Sequence, residues 1–137
     1  MQKYITSLSL AVLLIVATPL YAQKLKPVPN MKKQLCKKWN YSKCRILGIE
    51  YMSNTDEKGD MIHFDDNMTY KIIEGGKIQE GTWNCTPEQD KIQLLNENQE
   101  VVRELKVEKL TDSEFIYTMT MNWQYEVSIF MTTEILN

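Results

Sequence analysis

Phe64-Asp65-Asp66-Asn67-Met68-Thr69-Tyr70-Lys71-Ile72-Ile73-Glu74-Gly75-Gly76-Lys77-Ile78-Gln79-Glu80-Gly81-Thr82-Trp83 contains strand-like runs cut by two turn signals, Asp65-Asp66-Asn67 and Glu74-Gly75-Gly76. Asp, Asn and Gly tolerate the backbone angles of tight turns, so two such signals this close together imply consecutive antiparallel strands. No helix-like periodicity of any length interrupts the pattern from here to the C-terminus.

Upstream, Ser53 to Asp60 is a polar loop, and about Lys38 to Met52 reads as one long first strand with Trp39, Tyr41, Leu47, Ile49 and Tyr51 largely on one side. Before it, Asn30 is placed to cap a short helix, Met31 to Lys37. Strands are expected over Met61 to Phe64, Met68 to Ile73 and Lys77 to Cys85, then from Lys91 to Leu95. In Val101 to Leu110, Val101, Leu105 and Val107 alternate inward against Glu104, Lys106 and Glu108. Phe115, Tyr117, Met119 and Met121 share a face, as do Tyr125, Val127, Ile129 and Met131, which brings the count to eight strands.

The N-terminus reads as a targeting segment. Lys3 supplies a positive end, Leu8 to Val16 is apolar, and Pro19-Leu20-Tyr21-Ala22 ends in a small residue, so cleavage is expected after Ala22. Residues 1–22 are thus a signal peptide, 23–34 a basic linker and short helix, and 35–137 one barrel domain, an exported protein soluble in the periplasm or outside the cell. No later apolar run approaches the ~20 residues that span a bilayer.

Charge is segregated along the chain. Lys24, Lys26, Lys32, Lys33, Lys37, Lys38, Lys43 and Arg45 lie in a stretch without acids, and all 18 acidic residues come later, against seven cations, a local balance of −11. The arm from Lys24 to Arg45 either folds back and offsets the repulsion of the acidic body or docks on an anionic envelope surface or protein partner. Export and the acidic body argue against nucleic acid.

Three cysteines in an exported chain suggest one disulfide; Cys44 with Cys85 is the first choice and Cys36 with Cys85 the second. His63, the one histidine, alternates with Ile62 and Phe64 and is expected to face solvent, with no partner for catalysis. Asp65 and Asp66 fit a solvated turn better than a calcium loop, and no Cys/His spacing fits zinc, so neither enzyme activity, nor a metal, nor a cofactor is expected. Asn40-Tyr41-Ser42, Asn67-Met68-Thr69 and Asn84-Cys85-Thr86 match the glycosylation sequon, which matters only in a host that glycosylates.

Eight strands joined by short hairpins favour an up-and-down barrel, because closure removes the sheet edges. Leu35-Cys36-Lys37-Lys38-Trp39, Phe64-Asp65-Asp66-Asn67-Met68-Thr69-Tyr70, Gly81-Thr82-Trp83 and Leu110-Thr111-Asp112-Ser113-Glu114-Phe115 resemble, in order and spacing, the small secreted bacterial lipocalin-like domains. Lys37 and Asn67 stand where that family's pattern has glycine; Asn tolerates positive φ at such a turn. The resemblance implies an all-β lipocalin-like barrel with a binding role and no shared catalytic residues.

The inward set expected from alternation is rich in methionine and aromatics, which suits either a filled core or an adaptable cavity. The candidate cavity residues are Trp39, Phe64, Tyr70, Trp83, Phe115, Tyr117, Met119, Met121, Tyr125 and Met131, for a small apolar or amphipathic ligand. The competing expectation is an interaction module, for example a barrel-type protease inhibitor, that uses the basic arm or the outer face.

Overall fold

The computed structural model describes residues 30–122 and 124–134. The signal peptide and the Lys24 and Lys26 portion of the arm lie outside them. One short helix, α1 (Met31–Leu35), precedes nine strands: β1 (Lys38–Ile46), β2 (Ile49–Met52), β3 (Met61–Phe64), β4 (Thr69–Glu74), β5 (Lys77–Thr86), β6 (Lys91–Leu95), β7 (Val101–Leu110), β8 (Glu114–Met121) and β9 (Tyr125–Thr132). All neighbours pair antiparallel, and β1 pairs with β9, which closes the sheet.

The expected first strand is two strands. Leu47 and Gly48, at φ 50° and 80°, make a two-residue turn between β1 and β2. Apolar alternation runs straight through this turn, and only Gly48 marks it. β2 then pairs with Lys43 to Ile46 of β1, while β3 pairs with Lys38 to Asn40 on the same flank. Together β2 and β3 form one broken stave of an eight-stave barrel. The hairpin tip is solvated, with Leu47 82% exposed and Ile49 and Met52 also exposed.

Three further local expectations are corrected. Asn30 sits at the start of α1 in the left-handed region without a side-chain cap, and the helix stops at Leu35 rather than Lys37. In the Asp65 to Met68 turn the positive φ belongs to Met68, at 68°. Asn67 contributes through its side chain instead, its Oδ1 accepting hydrogen bonds from the Thr69 N–H (3.1 Å) and hydroxyl (2.6 Å). Val101, expected to face inward, is exposed, because a bulge between Leu94 and Leu95 shifts the β6–β7 register there.

One end of the barrel is plugged. Met31 and Leu35, four residues apart on one helical face, are buried, and the Trp39 indole N–H donates to the Leu35 carbonyl at 3.0 Å. Behind them Trp39, Phe64, Trp83 and Phe115 pack edge-to-face, with ring centroids 5.2–6.2 Å apart. The Trp83 indole N–H donates to the Asp65 carbonyl at 3.2 Å, so both buried indoles are satisfied. Gly81 fits where nothing larger does: a Cβ there would collide with the Leu95 carbonyl oxygen and lie 2.9 Å from the Tyr70 ring.

Candidate functional site

At the other end the aromatic filling gives way to a cavity of about 220 Å³. Its walls come from alternate strand positions: Ile62 of β3, Ile72 of β4, Tyr117 and Met119 of β8, and Ile129 and Met131 of β9. Tyr41 of β1, Met61 of β3 and Glu74 of β4 reach it from the rim. Glu57 and Asp60, from the loop between β2 and β3, complete the rim. The loop is held there by its own hydrogen bonds: the Tyr41 N–H donates to the Asp60 carbonyl (3.0 Å) and the Gly75 N–H to Asp60 Oδ1 (2.9 Å). Glu57 Oε2 in turn accepts from the Asn54 N–H (3.0 Å).

Two tyrosines bring polar tips into this apolar space. Tyr117 is 6% exposed, and among the described residues its hydroxyl has no hydrogen-bond partner and opens on the cavity rather than being sealed in the core. Burial pushes its phenol well above the ordinary range, with nearby Arg103 pulling the other way, so it stays protonated and can both donate and accept. Tyr41 is also shifted upward, by burial and by the Cys44 thiol against its hydroxyl. Tyr70, by contrast, is satisfied: Gln79 Nε2 donates to its hydroxyl at 3.2 Å.

Arg103 is the inward cation nearest the cavity, and it is engaged. Its two terminal nitrogens donate to the two Glu74 carboxylate oxygens at 2.6 and 2.9 Å. These bonds hold the Glu74 carboxyl below its usual range and raise the guanidinium. Beyond Glu74 and Met119 the cavity meets a broader, open cleft of about 880 Å³ between β7 and β8. It opens because the β7–β8 ladder runs only from Leu110–Phe115 to Lys106–Thr118. Lys91, Glu104, Lys106 and Glu126 line it, as expected for a solvated surface.

The cavity candidates named from the sequence do not stay together. Tyr117, Met119 and Met131 line the cavity. Trp39, Phe64, Tyr70, Trp83 and Phe115 are buried in the packed half of the core. Met121 borders the open cleft, and Tyr125, half-buried at the start of β9, lines neither. Sequence reasoning missed Glu57, Asp60 and Glu74 as rim residues, because a polar loop and a strand terminus carry no signal of what they fold over. Tyr41, Ile62 and Ile129 were legible as inward by alternation, but alternation does not say which end of the barrel stays open.

The expected Cys44–Cys85 disulfide is absent: Cys36, Cys44 and Cys85 are all free thiols. Cys44 of β1 lies opposite Tyr51 and Ile129, and Cys85 of β5 opposite Ile92. Three strand spacings separate β1 from β5 around the wall, about 14 Å, whereas bridged Cα atoms lie within ~7 Å. His63 points outward as expected but is half-buried, with Nε2 3.6 Å from Asp65 Oδ1. The described cations of the N-terminal arm are partly engaged on the barrel: Lys43 with Glu50 at 3.0 Å, Arg45 with Glu108 at 3.5 Å, and Lys37 Nζ donating to the Asp112 carbonyl at 3.0 Å. Among the described residues no helix is long and apolar enough to cross a membrane.

Against known proteins, the chain matches no family model and no curated protein.

Proposed function

We propose that this chain is an exported, lipocalin-like binding protein that holds a small apolar or amphipathic molecule in the open half of its barrel. The observation that carries the reading is the Tyr117 hydroxyl, which has no hydrogen-bond partner among the described residues and faces the cavity from a side chain only 6% exposed. A hydroxyl open to the cavity and free of protein partners is available to hydrogen-bond a ligand's polar atom. The methionines Met61, Met119 and Met131 add pliable walls of the kind used where a surface adapts to its ligand. At about 220 Å³ the cavity lies below the ~300–1,000 Å³ of drug-sized sites, so the ligand is small. Export rests on the reading of Met1 to Ala22, and the protein acts by binding rather than by catalysis.

The test is to denature and extract the purified mature protein, identify any co-purified small molecule by mass spectrometry, and titrate it back by calorimetry. One site per chain, abolished by Met119→Trp in a variant with unchanged circular dichroism, is the expected result. A preparation that carries no small molecule and binds none of a panel of short-chain alcohols, amines and acids would sink the reading.

A further inference from the structure

We infer that the pocket selects a small organic cation, an alkyl or aryl ammonium, over neutral and anionic molecules of the same size; this rests on the binding reading above. The rim supplies three carboxylates, Glu57, Asp60 and Glu74, and none of the residues lining the cavity is cationic. Glu74 is neutralised by its two hydrogen bonds from Arg103. Glu57 and Asp60 accept only neutral backbone N–H donors, from Asn54 and Gly75, and among the described residues neither forms an ion pair. Two uncompensated negative charges therefore sit at the mouth of an apolar space.

That arrangement separates ligand classes. An anion such as a short fatty acid needs a free cation, and the nearest one, Arg103, already has both fork nitrogens on Glu74. An ammonium instead meets two carboxylates at the rim and finds in Tyr117 Oη an acceptor without a competing partner. The rings of Tyr41 and Tyr117 add π-faces for the cation. The unpartnered Tyr117 hydroxyl offers a polar contact inside the cavity, and the carboxylates set the sign of the group it favours. At the ~30 Å³ that a water molecule occupies in the liquid, the cavity holds about seven water-sized units, which matches hexylammonium.

The experiment is calorimetric titration of the full mature protein with hexylammonium, hexanol and hexanoate at pH 7 and low salt. Hexylammonium should bind about tenfold more tightly than hexanol, and hexanoate more weakly than both, with the cation's advantage shrinking at high salt. Glu57→Gln/Asp60→Asn, which keeps both backbone hydrogen bonds, should bring hexylammonium down to the alcohol's affinity. Hexanol or hexanoate binding as tightly as hexylammonium would overturn the cation preference and leave the pocket itself standing. So would an unchanged preference in a double variant shown to be folded. Failure of all three compounds to bind would overturn both this inference and the binding reading beneath it.

Discussion

Glu74 and Arg103 clasp each other across the open end of the barrel, from β4 to β7, through paired hydrogen bonds of 2.6 and 2.9 Å. Both positions point inward by strand alternation: Glu74 follows buried Ile72 by two residues, and Arg103 lies opposite buried Leu94. Two strands separate β4 from β7, so the pair ties staves that share no ladder. It also occupies the one guanidinium that could have served an anionic ligand. Stability and selectivity thus meet in a single contact.

The clasp makes stability acid-sensitive. Hydrogen bonds from Arg103 hold the folded Glu74 carboxyl below its unfolded value, so the stabilisation is complete above the unfolded pKa and is lost as pH falls through the folded one. Because Glu74 is half-exposed, Glu74→Gln should cost only about 0.5–1 kcal/mol at pH 7. Chemical denaturation at pH 7 and at pH 3 checks it: the gap between wild type and variant should be smaller at the lower pH, and a gap of constant size would refute the assignment.

Gly81 is required by space rather than by backbone angle. Gly81→Ala drives a methyl group into the Leu95 carbonyl and the Tyr70 ring, which forces β5 away from β6. A loss of about 2–3 kcal/mol is expected, at the upper end of overpacking effects. Urea denaturation reads it, and a loss under 0.5 kcal/mol would mean that the strands do not approach this closely.

Leu47 presents the opposite case, a residue poorly suited to its place. It is 82% exposed and holds φ 50°, a left-handed conformation that asparagine adopts more readily. Leu47→Asn should therefore raise stability by about 0.5–1 kcal/mol. Destabilisation by this change would argue that the β1–β2 turn is not formed as described.

The thiols supply a fourth stability test. With all three cysteines free, Cys44→Ser should leave the unfolding midpoint in non-reducing buffer within about 0.5 kcal/mol of wild type. Burial raises the Cys36 and Cys85 thiols, which keeps them protonated and slow to react at neutral pH until the protein unfolds. Thiol counting with a chromogenic disulfide reagent before and after denaturation measures both points; fewer than three thiols after denaturation would contradict the structure.

How much of this was legible beforehand differs between walls and rim. The turn signals at Asp65 to Asn67 and at Glu74 to Gly76, and the alternation of Phe115, Tyr117 and Met119, state the sheet and its inner face in local terms. Closure by β1–β9 pairing follows from hiding two edges. The Leu47–Gly48 turn was obscured because Leu47, Ile49 and Tyr51 keep an apolar alternation through it, although they are solvated. Which half of the barrel is plugged depends on Met31 and Leu35 folding under Trp39, a long-range packing choice with no local mark. The rim carboxylates Glu57 and Asp60 look like an ordinary polar loop for the same reason. Cysteine spacing failed because it carries no geometry, and strand order decides which thiols can meet.

The central claim, that a small molecule is held against Tyr117 in the open half of the barrel, is tested most directly by methyl NMR of protein labelled at its methionines. Titration with hexylammonium should shift the Met61, Met119 and Met131 methyl signals along one saturable curve, with Met31 under the plugged end and Met52 on the exposed hairpin unmoved. Shifts confined to Met52, or no saturable shift at any of the three cavity methionines, would contradict it.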